Sequence, residues 1–405
     1  MNKYKAMIVT VGTGEGIENS IFYSIKLANP DYIVFLLTKE SKNKKLPIIL
    51  EKDFIKSKKY EKSILKEPED VEEISHTCEN IIEKLRRKGY KEIVIDYTSG
   101  TKAMSAGVVL AGINKKIDQL IYISGRKREE KTGRVISTTE KPVIITPNKT
   151  YAESLFLKAL ELFNKYQYEN SFEILEESKN LYQVDEFKIK VEIVQNLCKV
   201  YSYWDKFDLK NAFEVFKKVQ DKLNENIPIQ KSILKKEIEN GFCIERVADL
   251  LLNAERRAEE KKFDDATARL YRLIEYIAQI EISKKGLYKN DNTSDIDKMK
   301  LPDELKNKYS KYEKEGSIKL ALKADYELLC DLNNNLGKIY KKYEDELTKL
   351  LSFRNNSILA HGFQPMNNKN YEKFKKIVEK IIKEWKPEVM NLKKQIRFIK
   401  LKNNF

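Results

Sequence analysis

Hydrophobic residues in the first 148 positions fall into short runs separated by amphipathic stretches. The runs at 5–11, 31–38, 60–65, 92–97 and 119–124 read as strands, with two more around 134–139 and 142–146. Between them, 16–28, 70–88 and 102–115 repeat apolar residues with the period of a helix. Such alternation predicts a mostly parallel sheet with helices on both faces, an α/β Rossmann-like domain. After Pro147 the strand signal stops and long amphipathic helices take over. Three segments there, Tyr168-Glu-Asn-Ser171, Phe207-Asp-Leu-Lys-Asn-Ala212 and Phe263-Asp-Asp-Ala266, set an aromatic and an acid before a small residue. In tetratricopeptide-like hairpins an aromatic near the turn packs on a small residue of the next helix, so these aromatics are expected in a core. Their irregular spacing predicts helical hairpins without a true repeat array. Further helices are expected at 244–260, 264–284, 318–335, 337–361, 369–384 and 386–400, with the polar segment 284–302 as an exposed loop. The expected divisions are 1–148 (α/β), 149–243 (an all-α linker of hairpins) and 244–405 (an all-α bundle).

Composition narrows the class only modestly. A chain of 405 residues is long enough for two or three cores. A net charge of +15 suits an anionic partner, but lysine is spread along the chain and 34% charged residues also describes a solvated surface. Local basic stretches at Lys56–Lys62 and Arg126–Arg134 read as solvated loops, the second as a hairpin turn that could instead lie over a bound anion. Cys78, Cys198, Cys243 and Cys330 are isolated, which argues against a zinc site or a disulfide framework and for a reducing compartment. No apolar run approaches the ~20 residues that span a bilayer, and a strand begins almost at once. A cytoplasmic protein without a membrane contact is therefore expected.

Two stretches carry candidate chemistry. The first is Arg354-Asn-Asn-Ser-Ile-Leu-Ala-His361, followed by Gly362, in a chain with only two histidines. On a continuous helix a seven-residue step returns to within ~20° of its starting direction, which would put Arg354 and His361 on one face. Leu347, Leu351 and Ile358 would form an apolar stripe beside them. Gly362 would cap the helix and Pro365 would end it, leaving His361 in the last turn, where the dipole favours imidazolium. An imidazole can move a proton and a guanidinium can hold charge developing at phosphorus, a minimal kit for cutting RNA. A capping histidine beside a surface arginine is the plainer reading of the same residues. Arg269, Arg272 and Glu275 read as surface ion pairs on a helix.

The second stretch is Asp96-Tyr-Thr-Ser-Gly-Thr-Lys102, between an expected strand and an expected helix. Thr98, Ser99, Gly100, Thr101 and Lys102 would lie where ligands gather in open α/β sheets, with amides, hydroxyls and an ammonium suited to phosphate. A capped turn with a solvated lysine is the alternative. The pattern is not a Walker loop, so ATP hydrolysis is not implied. Gly12, Thr13 and Gly14 end the first strand in a comparable loop. Ile17 stands where a dinucleotide fingerprint needs its third glycine and Glu15 would repel a pyrophosphate, which disfavours NAD.

Arg354, Asn355 and His361 match, position by position, the signature of HEPN ribonucleases, helical domains that dimerise so that two motifs face each other. The segment Asp-Tyr-Thr-Ser-Gly-Thr-Lys-Ala-Met from Asp96 to Met104 resembles the CARF domains of type III CRISPR ancillary proteins, which bind cyclic oligoadenylates across a dimer interface. Together with Phe263–Glu275 it is similar to the Cas02710 lineage of CARF–HEPN ribonucleases. Ser99 departs from the glycine of many relatives. The resemblance implies a homodimer activated by cyclic oligoadenylate at Gly12, Thr13, Gly14 and Thr98–Lys102. It also implies metal-independent cleavage of single-stranded RNA by Arg354, Asn355 and His361, with no cofactor and a 2′,3′-cyclic phosphate product. Two other outcomes stay open: a catalytically dead sensor or scaffold, and an N-terminal ring nuclease that degrades its own activator.

Overall fold

The computed structural model describes residues 4–125, 139–290, 293–314 and 317–402. By contacts the chain divides into Met1–Phe156 with Glu177–Val184, and Leu157–Glu176 with Asp185–Phe405. The first unit contains β1 (Lys5–Val11), α1 (Ile17–Ala28), β2 (Tyr32–Leu37), α2 (Lys39–Lys44), α3 (Leu46–Leu50) and α4 (Asp53–Lys56). It continues with β3 (Lys59–Ile64), α5 (Val71–Arg87), β4 (Glu92–Asp96), α6 (Lys102–Asn114), β5 (Gln119–Gly125) and β6 (Glu140–Ile145).

These strands form one sheet in the order β3-β2-β1-β4-β5-β6. All pairs are parallel except β5–β6. The expected α/β class is what forms. Alternation along β1 explains both cores: Ala6 and Ile8 pack with α5 and α6 on one face, Met7, Val9 and Val11 with α1 on the other. A Cβ on Gly107 would meet Ile74 at 2.6 Å, so glycine lets α6 lie close against α5. The short helices α2–α4 were not read from the lysine-rich sequence, whose apolar positions are too few to show a period. The expected Arg126–Arg134 turn, and all of the expected 134–139 strand but its last residue, lie outside the described residues.

The remaining elements are α7 (Pro147–Asn164), α8 (Tyr168–Leu181), α9 (Asp185–Asp205), α10 (Leu209–Phe216), α11 (Asn226–Glu239), α12 (Ile244–Glu259) and α13 (Phe263–Lys284). After them come α14 (Asp303–Tyr309), the two-residue strands β7 (Glu313–Lys314) and β8 (Ser317–Ile318), and α15 (Leu322–Asp331). The chain ends with α16 (Asn335–Asn355), α17 (Asn368–Trp385) and α18 (Val389–Ile396). The turns after α7, α9 and α12 each place a non-glycine residue at positive φ: Tyr166 at 63°, Phe207 at 59° and Lys261 at 63°. At all three, crossed backbone bonds close the helix end, as from Gln167, Asp208 and Lys262 to Leu162, Tyr203 and Arg257. Of the three aromatics expected in a core, Tyr168 is buried, while Phe207 and Phe263 are only half-buried at the hairpin turns.

Three helices differ from expectation, and the one expected over 318–335 spans only Leu322–Asp331. The helix expected to reach residue 361 stops at Asn355, where Asn355, Asn356 and Ser357 are weak helix formers whose side chains compete for the backbone. The helix expected over 386–400 stops at Ile396, and the tail that follows is pinned by other contacts. Phe398 stacks on Tyr201 at 4.3 Å, and the Leu401 amide donates to Asn164 Oδ1 at 2.8 Å.

Candidate functional site

In the α/β unit the loops after β1 and β4 meet at the point where the strand order reverses, the usual ligand crevice of such sheets. A Cβ on Gly12 would sit 2.6 Å from the Gly100 nitrogen, so the two loops touch through glycine backbone. Gly100 itself has φ +108°, a conformation that favours glycine. The cleft above them has a volume of about 540 Å³ and is walled by Gly12, Thr13, Gly14 and Thr98–Thr101. Loops after β2 and β3 complete the wall, adding Lys39 and Lys66. The sequence reading missed these two cations; their position just past strand C-termini was the available signal.

The hydroxyls in this wall are largely committed to structure. Ser99 Oγ donates to the Thr10 carbonyl at 2.6 Å and accepts from the Gly12 amide at 3.2 Å. Thr101 Oγ1 caps α6 by accepting from Met104 N at 3.1 Å and donates to the Pro68 carbonyl at 3.1 Å. Thr98 Oγ1 accepts from the Ile123 amide at 2.9 Å. Thr13 and Gly14 are exposed, and Lys102, the first residue of α6, follows the wall and is exposed too.

Beneath the cleft Asp96 is fully buried, and burial pushes its carboxyl up to about 6 against the pull of Thr98. The Thr98 amide donates to its Oδ1 at 2.7 Å, whereas Oδ2 makes no regular hydrogen bond among the described residues. A pKa raised from 3.8 to about 6 means that the charged form costs folding stability. That cost is absent where Asp96 is protonated folded and unfolded, grows between about pH 4 and 6, and is complete above. Asp96→Asn is therefore expected to stabilise the protein at pH 7 by on the order of 2 kcal/mol and to flatten thermal stability across that window. Superimposable melting profiles for the two proteins would contradict this assignment.

In the helical unit Arg354 lies in the last turn of α16 and His361 lies beyond it. The two do not share a helix face, and the dipole expected to act on His361 loses its basis. A closed turn of backbone joins their segments instead. Ser357 N donates to Arg354 O, His361 N to Asn355 O (both 3.0 Å), Gly362 N to Ser357 O (3.2 Å) and Gln364 N to Asn356 O (2.9 Å). A Cβ on Gly362 would stand 2.2 Å from the Asn356 oxygen, so its role is close approach within this turn rather than the cap of a long helix. His361 is exposed, and Arg354 Nη1 lies 3.3 Å from Asn355 Oδ1.

The Arg354 guanidinium lies over the Tyr271 ring of α13, 4.5 Å from its centroid, an anchor that the sequence reading missed. Burial raises the Tyr271 phenol. Nearby, Arg272 pairs with Glu275 at 2.9 Å and Arg269 pairs with Asp265, in line with the reading of ion pairs on one helix. The expected apolar stripe does not form as drawn. Leu347 is buried and Leu351 half-buried, but Ile358 is 66% exposed beyond the helix. With Phe353, Leu359 and Phe363, itself 90% exposed, it surrounds the turn with apolar surface. Among the described residues no three His, Cys, Asp or Glu side chains gather as a metal-holding group, and no helix is long and apolar enough to cross a membrane.

Three family models match successive stretches: the Card1 CARF domain over residues 16–146, the Csm6 6H domain over 151–241 and the Csm6 HEPN domain over 235–384. No curated protein matches the chain. Among solved structures, Enterococcus italicus Csm6 bound to cyclic hexa-2′-fluoro-hexa-dAMP is 16% identical, with a TM-score of 0.63 over 97% of this chain and 99% of that one. At that identity the likeness speaks for the fold. Can2 from Sulfobacillus thermosulfidooxidans, in complex with cyclic tetra-adenylate, is 12% identical over 50% of this chain and 68% of that one; its TM-score of 0.26 carries no argument. A six-stranded α/β unit, a run of helical hairpins and a bundle bearing the Arg354–His361 turn thus fall under these three models in order, and the chain is a Csm6-like CARF–6H–HEPN protein.

Proposed function

We propose that this protein is an endoribonuclease that cuts single-stranded RNA without a metal when a cyclic oligoadenylate occupies the cleft above Gly12 and Gly100, and that it works as a homodimer in type III CRISPR defence. The observation that supports this reading is the 355–361 backbone closure, which follows directly on Arg354 at the end of α16 and carries the exposed Asn355 and His361. In the proposed step the RNA 2′-oxygen attacks the adjacent phosphorus and the 5′-oxygen leaves. His361 moves the proton, Arg354 holds the charge developing on the phosphoryl oxygens, and Asn355 steadies Arg354. The products would be a 2′,3′-cyclic phosphate and a 5′-hydroxyl.

One such turn per chain supplies one imidazole, whereas the reaction has a proton to remove and a proton to give. The exposed Phe353, Ile358, Leu359 and Phe363 offer apolar surface on which a second copy can bring its own turn. On the ligand side, backbone amides of the two touching loops together with Lys39 and Lys66, which share the wall with Glu40 and Glu69, and the exposed Lys102 just beyond it suit the phosphates of a cyclic oligonucleotide. The HEPN and CARF models, and a fold shared with a Csm6 solved with a cyclic oligoadenylate analogue, support this reading.

Analysis of product ends tests the chemistry. Cleavage in EDTA that leaves 2′,3′-cyclic phosphate ends is the expected result, and 3′-hydroxyl ends would refute the mechanism. The platform under Arg354 gives a second test. Tyr271→Phe keeps the ring and is expected to stay near wild-type rate, while Tyr271→Ala frees the guanidinium and should cost about tenfold, in keeping with ~1–2 kcal/mol for such a contact. Equal rates for the Phe and Ala variants would remove Tyr271 from the account.

A further inference from the structure

Beside the 355–362 turn, the helical unit carries a large polar groove that the proposed chemistry does not use. A cleft of about 1050 Å³ runs between α12, α17 and α18, and a cavity of about 590 Å³ at the α7–α8 turn shares Glu259 and Lys261 with it. The two are therefore one groove, crossing the α12–α13 turn. One end is tied to the catalytic segment: the Met366 amide donates to Asp264 Oδ1 at 3.0 Å, next to Phe263 in the groove wall, and Asn368 lines the groove itself. Met366 lies five positions after His361, no more than ~17 Å of extended chain.

The charges in this groove are unequal in kind. Most of its carboxylates are engaged: Glu255 by Lys375 at 2.7 Å and Lys393 at 2.6 Å, Glu259 by the Tyr166 hydroxyl at 2.6 Å, Glu260 by Arg257 at 2.9 Å; Glu372 is the exception in the wall. Lys165, Lys261 and Lys394, by contrast, have no carboxylate within ion-pair distance among the described residues, and all three are solvent-accessible. Arg397, 69% exposed, reaches Glu259 only at 4.0 Å. Three lysines free to take an external anion and a loosely paired arginine, spaced along one open groove, match a phosphodiester backbone better than a compact ligand. The rings of Tyr166 and Tyr371 are buried and present no open face for stacking, and Phe263 in the wall is half-buried. Recognition here is of phosphates, without base identity.

We propose that this groove holds the single-stranded RNA substrate on one side of the scissile bond and guides it to the His361 turn. The proposal rests on the ribonuclease reading above and names where its substrate runs. The test is fluorescence anisotropy of a labelled single-stranded RNA of about 20 nucleotides, titrated with full-length His361→Ala protein so that nothing is cut. The same chain carrying Lys261→Ala, Lys394→Ala and Arg397→Ala, positions on the surface, is compared with it over a salt series. The expected result is at least a tenfold weaker affinity at low salt and a slope of log affinity against log salt reduced by about 2, as the loss of three phosphate contacts requires. Lys261→Arg with Lys394→Arg and Arg397→Lys should retain the affinity, which separates charge from folding. Unchanged affinity and slope in the alanine variant would overturn the groove alone. No RNA binding by the His361→Ala chain would overturn the ribonuclease reading and the groove with it. A polyglutamate peptide that competes with the RNA at equal affinity would make the groove a docking site for an acidic protein instead.

Discussion

His361→Ala and Arg354→Ala are each expected to slow RNA cleavage by ~10²–10⁴-fold, the scale for removing a positioned proton shuttle or a charge-stabilising group. Neither change should disturb the fold. His361 is exposed, and Arg354 is half-buried against Tyr271 in the last turn of α16. Dimerisation and binding of cyclic oligoadenylate should likewise persist. The mixed dimer discriminates further. If two turns form one site across the two-fold axis, a wild-type chain paired with a His361→Ala chain falls well below half activity, because no complete site remains. Heterodimers that keep half of the wild-type rate would show that each subunit cuts alone.

Arg256→Ala should destabilise the protein by ~3–5 kcal/mol, the range for breaking a buried ion pair. Arg256 is 97% buried on α12 by its 3% exposure, donates to Asp205 Oδ1 at 2.7 Å, lies 3.5 Å from Asp249 Oδ1, and stacks on Phe398 at 3.9 Å. Asp205 is also met by Arg257 at 2.7 Å, and Asp249 by Trp204 Nε1 at 2.9 Å. Without Arg256, Asp249 loses its cation inside the core. Burial already pushes its carboxyl up to about 6 from an ordinary 3.8, so ionisation opposes folding progressively from about pH 4 to 6. The variant should therefore be least stable above pH 6 and recover part of its deficit as pH falls toward 4. Denaturant titrations at pH 4.5 and 7.5 measure this; an equal loss at both would contradict it.

The sheet was legible because each central strand is an apolar run bounded by turn residues, and the two touching loops because Gly12 and Gly100 punctuate strand ends. Apolar periodicity also located most of the helices. It failed where a backbone device, rather than a side-chain face, decides the structure. Arg354, Asn355 and His361 were proposed from their spacing, which assigned Arg354 and His361 to one face of a continuous helix that in fact ends at Asn355. The weak helix formers Asn355-Asn356-Ser357 were the warning, and Gly362, read as a cap, is instead the residue that lets the turn close on Asn356. Tyr271 could not be read at all, since 83 positions separate it from Arg354 and only packing of α13 near α16 brings them together. The commitment of Ser99 to Thr10 and Gly12 was hidden for the same reason. As a phosphate donor Ser99 is less available than its sequence position suggested.

The most direct test of the account is to incubate labelled single-stranded RNA with the purified protein in EDTA, adding cyclic tri-, tetra- and hexa-adenylate in turn. The account predicts little cleavage without activator, strong cleavage with one of the rings, and none from His361→Ala under the same conditions. Cleavage that no ring stimulates, that requires added magnesium or manganese, or that survives in His361→Ala would contradict it.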